Sequence, residues 1–182
     1  MRNRFAAHAD GRIVWPSGSA PCVFGRGGCV PAANKREGDG ATPLGAWPIR
    51  EVFFRPDRVA PPATGLPVTA LSRDMGWCDA PGRPDYNRRV RLPFPDSHEV
   101  LWREDGLYDL LAVLGYNDDP PAPGLGSAIF LHLAAPDMTP TEGCVATDLA
   151  SLRALLAEAA PGDVLDIVEA PQRQIDIPRA QG

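Results

Sequence analysis

Residues 127–148 read SAIFLHLAAPDMTPTEGCVATD. The stretch opens with an apolar run ending at His132 and Leu133, the pattern of a buried strand bounded by turn signals. A loop rich in Pro, Asp and Thr follows, then Gly143 and Cys144, then a segment with helix-like features. A cysteine thiol titrates near pH 8.5, so at neutral pH it is only a few per cent thiolate unless assisted. A histidine within hydrogen-bond reach supplies that assistance by accepting the proton and holding an imidazolium beside the sulfur. Gly143 permits a tight turn in which neighbouring N–H groups converge on one point, where they can stabilise an oxyanion. Placement of Cys144 before the expected helix adds a helix dipole that favours negative charge on sulfur.

The string T-x-G-C-V at 141–145, with a histidine ending the preceding strand, resembles the cysteine signature of the YkuD-type L,D-transpeptidases, whose usual pattern is S-H-G-C-[IV]-R. The resemblance implies a cysteine acyltransferase acting on peptidoglycan stem peptides, with His132 as general base, Gly143 in the oxyanion turn and Cys144 as nucleophile. Thr141 stands at the usual serine, Glu142 at the usual second histidine, and Ala146 at the usual arginine. Glu142 is a solvated loop charge by default, with repulsion of the thiolate or a water-mediated contact to His132 as alternatives. A second match lies upstream, where KREGDGATPLGAWPIR at 35–50 resembles the family's T-P-x-G-x-[FW]-x-I hairpin through Thr42, Pro43, Gly45, Trp47 and Ile49. Residues 56–103 carry no general family signal.

Working outward, the 182 residues suffice for one domain with a substantial core, expected over 1–182. Eighteen glycines and 21 prolines argue for short strands and structured loops. Short strands are expected at 12–15 and 21–24, a longer one at 45–54, and further strands at 68–71, 107–115, 127–133 and 163–168. Residues 74–95 read as turn-forming, and Ser97 as the N-cap of a helical turn over 98–102. Leu149, Leu152, Leu155 and Leu156 recur at helical spacing, and Pro161-Gly162 ends the segment. The expected fold is mainly β with one clear helix, and the resemblance adds a β-sandwich-type catalytic domain.

The net charge of −5 gives no electrostatic footprint for nucleic acid. No stretch reaches the ~20 apolar residues of a membrane span, and the first 18 residues lack the apolar core of a signal peptide. The family resemblance nevertheless implies the cell envelope, where peptidoglycan lies. Cys22, Cys29 and Cys78 contain no C-x-x-C pair, so neither a zinc site nor a redox pair is indicated, and they read as small buried hydrophobes. No metal or organic cofactor is implied. Thr141, Tyr116 and Asn117 are candidate substrate-binding residues, the latter two because polar residues at strand ends often line pockets, although Asn and Asp also simply favour turns. Trp77 and Tyr86 read equally as groove or core residues. The Arg88, Arg89 and Arg91 group reads as a solvated face, with contact to an anionic substrate as its alternative.

Two functions of other kinds stay open beside the transpeptidase: a peptidoglycan carboxypeptidase or amidase using the same Cys/His pair, and a non-catalytic wall-binding module.

Overall fold

A computed structural model describes residues 4–170. Thirteen strands and one α-helix follow in order: β1 (Arg4–His8), β2 (Arg12–Trp15), β3 (Gly18–Pro21), β4 (Cys29–Pro31), β5 (Thr42–Phe54), β6 (Val68–Ala70), β7 (Met75–Cys78), β8 (Arg89–Arg91), β9 (His98–Val100), β10 (Leu110–Leu114), β11 (Phe130–Leu133), β12 (Val145–Thr147), α1 (Leu149–Glu158) and β13 (Val164–Val168). The mainly β architecture with a single α-helix is the one expected from the sequence. Among the described residues no helix is long and apolar enough to cross a membrane.

The large sheet runs β12-β11-β10-β5-β13-β1-β2-β3, with β4 and β6 also paired to β5. The 13-residue β5 joins the two halves of this sheet. Its residues 45–48 pair with β13, and 49–54 pair with β10. A separate three-stranded antiparallel sheet, β8-β7-β9, lies entirely within residues 75–100. Every residue of β10 is buried because its two faces serve two cores. Leu110, Ala112 and Leu114 enter the main cluster with Phe5, Leu131, Leu165 and the helix. Leu111 and Val113 face a second cluster made with Phe53, Phe130, Trp77 and Leu101. Each fully buried Leu or Phe contributes about 1.5–3 kcal/mol relative to exposure, so both faces resist opening.

Helix α1 buries Leu152, Leu155 and Leu156 at i, i+3 and i+4 spacing in the main core, and leaves Leu149 part-exposed. Asp148 caps it by accepting from the Ser151 N–H at 2.9 Å.

Four local expectations are corrected. Residues 98–100 form strand β9 and no helical turn covers 98–102, because His98, Glu99 and Val100 take up the free edge of β7. The turn-rich segment 74–95 also contains β7 and β8, whose short ladder closes a 10-residue excursion of turns. The second opening strand spans 18–21 rather than 21–24, paired along β2, while Val23 bridges Ala146. Cys144 does not precede a helix directly, since Val145–Thr147 form β12, parallel to β11, before α1 begins. The helix dipole therefore lies a strand away from the sulfur, and its effect fades beyond the first turn.

Candidate active site

Parallel pairing of β11 and β12 sets the geometry. His132 lies in register with Ala146. Side chains alternate along a strand, so Cys144, two residues before Ala146, projects to the same face as His132. Both open onto one cavity of about 690 Å³, whose wall also includes Tyr108, Glu99, Arg103 and Thr141.

The cysteine turn is clasped from both sides by residues 23–26. The Thr141 N–H donates to Phe24 O at 2.9 Å and the Arg26 N–H to Thr141 O at 2.8 Å. Beyond the cysteine, Val23 and Ala146 exchange two bonds of 2.9 Å. Within the turn the Thr141 hydroxyl accepts from the Gly143 N–H at 3.1 Å and donates to Cys144 O at 2.7 Å. Thr42, fully buried, adds a longer contact of 3.4 Å to the same carbonyl and accepts from the Gly25 N–H at 2.8 Å. The upstream T-P-x-G segment thus reaches the cysteine turn directly. Gly143 has φ 135°, and a Cβ there would stand 2.9 Å from Ala41 O, so only glycine fits. In this state its N–H is engaged by Thr141 rather than directed into the cavity.

His132 is 4 % exposed, and its Nδ1 lies 2.8 Å from Leu133 O. A carbonyl only accepts, so Nδ1 carries the ring proton and Nε2 keeps its lone pair for acid–base work. Tyr108 packs its ring edge-on to the imidazole, with centroids 5.2 Å apart. Burial lowers the His132 pKa to about 4, against a smaller raising effect of the Leu133 carbonyl. Burial likewise pushes the Cys144 thiol up to about 12, with the Glu99 carboxylate adding to the rise and the Phe130 N–H opposing it. At neutral pH the pair is therefore an uncharged thiol beside an uncharged imidazole.

Thiol acidity does not single out Cys144, because burial raises Cys22 to about 12 and Cys29 to about 11 as well. All four cysteines are free thiols. What distinguishes Cys144 is the company it keeps, an imidazole and a cavity.

The other sequence candidates divide. Thr141 borders the cavity and braces the turn. Tyr116 and Asn117 do not line it. The Tyr116 hydroxyl donates to Leu125 O at 2.6 Å, and its ring meets Trp47 edge-on. Asn117, with φ 48°, ties down the following loop through Ala122 and Gly126. The turn-cap reading of that stretch describes them better than the pocket reading. Glu142 is exposed and paired with Arg26 at 2.8 Å, which lowers its pKa and keeps it off His132. Trp77 packs edge-on to Phe130 beneath the site, while the Tyr86 hydroxyl donates to Glu37 and accepts from the Gly126 N–H.

Sequence reasoning missed Glu99, Tyr108 and Arg103. Glu99 accepts from the Tyr108 hydroxyl at 2.6 Å, and desolvation raises its pKa. Arg103 sits over the Tyr108 ring at 4.9 Å and pairs with Asp105. No local motif marks them: Glu99 is carried in on β9, while Arg103 and Tyr108 come from the connection between β9 and β10.

A mainly β domain that places a glycine-preceded cysteine and a buried histidine on one cavity defines a class, the cysteine-dependent acyl-transfer domains. The chain matches the L,D-transpeptidase catalytic domain (YkuD) across residues 3–168 and belongs to that family. The family consists of cysteine-dependent transpeptidases with activity on peptidoglycan. No curated protein matches the chain.

Proposed function

We propose that this protein is an L,D-transpeptidase of peptidoglycan stem peptides, with Cys144 as nucleophile, His132 as general base and the Gly143-Cys144 turn as oxyanion site. The observation that carries the reading is the single cavity shared by Cys144 and an imidazole whose Nδ1 is committed to Leu133 O, leaving Nε2 basic. The thiol proton passes to His132, and sulfur attacks the carbonyl of the third residue of a tetrapeptide stem. The carbon–nitrogen bond to the terminal D-alanine breaks, and the imidazolium protonates the departing amine. An acceptor amine then attacks the thioester, His132 takes its proton, and the carbon–sulfur bond breaks to return the thiol.

Two neutral partners make the resting site unreactive, so the proton transfer belongs with substrate binding. Main-chain N–H groups at the turn meet the oxyanion once Thr141 releases Gly143, and Thr141 also borders the incoming peptide. Five carboxylates line the cavity (Glu37, Asp79, Glu99, Asp137, Glu142) against the cations Lys35 and Arg103. Lys35 is taken up by Asp39 at 2.6 Å and Glu142 by Arg26 at 2.8 Å, and the remaining balance of the wall is still acidic and favours an amine-bearing acceptor electrostatically. This role places the protein in wall biogenesis and the maintenance of cell shape.

Incubation with a disaccharide-tetrapeptide, with and without an added amine, followed by mass spectrometry of the products, tests the proposal. Cys144-dependent loss of D-alanine with incorporation of the amine is the expected result. Release of tripeptide alone would make it a carboxypeptidase, and no turnover by folded protein would contradict both readings.

A further inference from the structure

Asn87 lies in the 56–103 segment, 5 % exposed and with φ 55°. Its side chain has four hydrogen bonds. Oδ1 accepts from Trp77 Nε1 at 2.9 Å and from the Ala128 N–H at 3.0 Å. Nδ2 donates to Tyr116 O at 3.0 Å and Asn117 O at 2.7 Å. A buried amide satisfied on all sides is a rigid fixture.

What it fixes is Ala128, a non-glycine residue with φ 53°. Such a conformation is disfavoured for a residue with a Cβ and persists only where the surroundings hold it. Held this way, Ala128 turns its carbonyl to the sulfur, and Cys144 Sγ donates to Ala128 O at 3.2 Å. The Phe130 N–H, two residues on, points at the same sulfur from 3.3 Å. The thiol hydrogen is therefore committed to a main-chain carbonyl and not to His132.

We propose that the Ala128 carbonyl, held in place by Asn87 as a positioning residue, is a latch that parks the Cys144 thiol in its protonated form until substrate displaces it. The inference rests on the reading of Cys144 as the nucleophile. A carbonyl acceptor stabilises S–H and opposes thiolate, whereas the Phe130 N–H does the reverse. With the latch loosened, the Phe130 N–H acts unopposed and the thiol becomes more acidic. The groups with charge or titration that face Cys144 are His132 on β11, Tyr108, Glu99 on β9, Arg103 and Lys35, and none is altered by changes at 87 or 128.

The test is the pH dependence of Cys144 alkylation by iodoacetamide, read by peptide mass mapping on the full chain. The variants are Ala128→Gly and Asn87→Gly. Both positions already hold positive φ, which glycine adopts freely, so the backbone is not strained by the change. The expected result is a lower pH midpoint for Cys144 in Asn87→Gly, with about tenfold more thiolate at neutral pH for every pH unit by which the midpoint falls, and an unchanged midpoint in Ala128→Gly, where glycine keeps both the φ and the carbonyl. Cys22 and Cys29 keep their wild-type rates. A profile for folded Asn87→Gly superimposable on wild type would overturn the latch, and so would a wild-type Cys144 midpoint at or below about 8.5, the ordinary thiol value, which decides if Asn87→Gly fails to fold. Iodoacetamide needs no peptide substrate, so a failed tetrapeptide assay leaves this test intact.

Discussion

Two regions meet at Cys144 and differ in how they are built. Residues 23–26, 42–49 and 130–147 form the frame, made of β-ladders and backbone clasps in which main chain meets main chain. Residues 56–103 form a cover in which side chains do the work: Trp77 and Leu101 fill the second core, Asn87 ties loops together, and Glu99 reaches the cavity. The frame presents Cys144 and His132, the pair proposed to react. The cover sets its dielectric, and burial beneath it holds thiol and imidazole neutral. Ala146, where the family usually has arginine, is fully buried beside His132, and an unpaired arginine there would carry a large desolvation cost.

If the frame carries the chemistry, damage to it should cost rate. His132→Ala should lower kcat/KM by about 10²–10⁴-fold at unchanged fold, measured with any turned-over stem peptide. The depressed pKa of His132 also sets the acid limb. The base is neutral and competent down to about pH 4, so activity should fall through that region rather than near 6.5. The sign for stability follows. The unfolded chain takes up a proton near pH 6.5 that the folded state refuses until about 4, so acid in that window should lower the urea midpoint. An activity limb near 6.5 would show that the cover does not exclude water from the imidazole.

If the cover is distinct from the frame, damage to it should show first as access. Leu101→Ala should cost about 2–5 kcal/mol and open Cys144 to alkylation below the melting transition. Leu165→Ala, equally buried but in the main core, should cost a similar amount and leave Cys144 shielded. Equal alkylation in both would erase the distinction.

Smaller effects sharpen the boundary. Thr42→Val leaves the Gly25 N–H without its acceptor and should cost about 1–3 kcal/mol, read from chemical denaturation. Arg26→Gln removes an exposed, solvent-screened pair with Glu142 and should leave the denaturation midpoint nearly unchanged.

The frame is largely legible in the sequence because its signals are local. Alternating and apolar runs at 45–54 and 127–133, glycine before Cys144 and leucines at helical spacing each report on neighbours a few residues away. The cover is not. Its strands are short, and β8 and β9 each show only three residues. They form because the edges of β7 need partners, which no window of the chain reveals. Residues 98–102 look helical because Ser97 makes a plausible cap, and tertiary pairing overrides it. Tyr116 and Asn117 sit at a strand end beside the strand that carries His132, yet their polar groups turn to the 122–126 loop, and that direction is not written in residue type. Asn87 lies within a run of turn formers and gives no sign of its reach to Ala128, 41 positions away.

The most direct measurement is intact-protein mass spectrometry during reaction with a disaccharide-tetrapeptide, with peptide mapping of any adduct. The expected result is one acyl adduct, on Cys144, absent in Cys144→Ala and formed far more slowly in His132→Ala. An adduct on another residue, or one whose rate ignores His132, would contradict the Cys144–His132 mechanism.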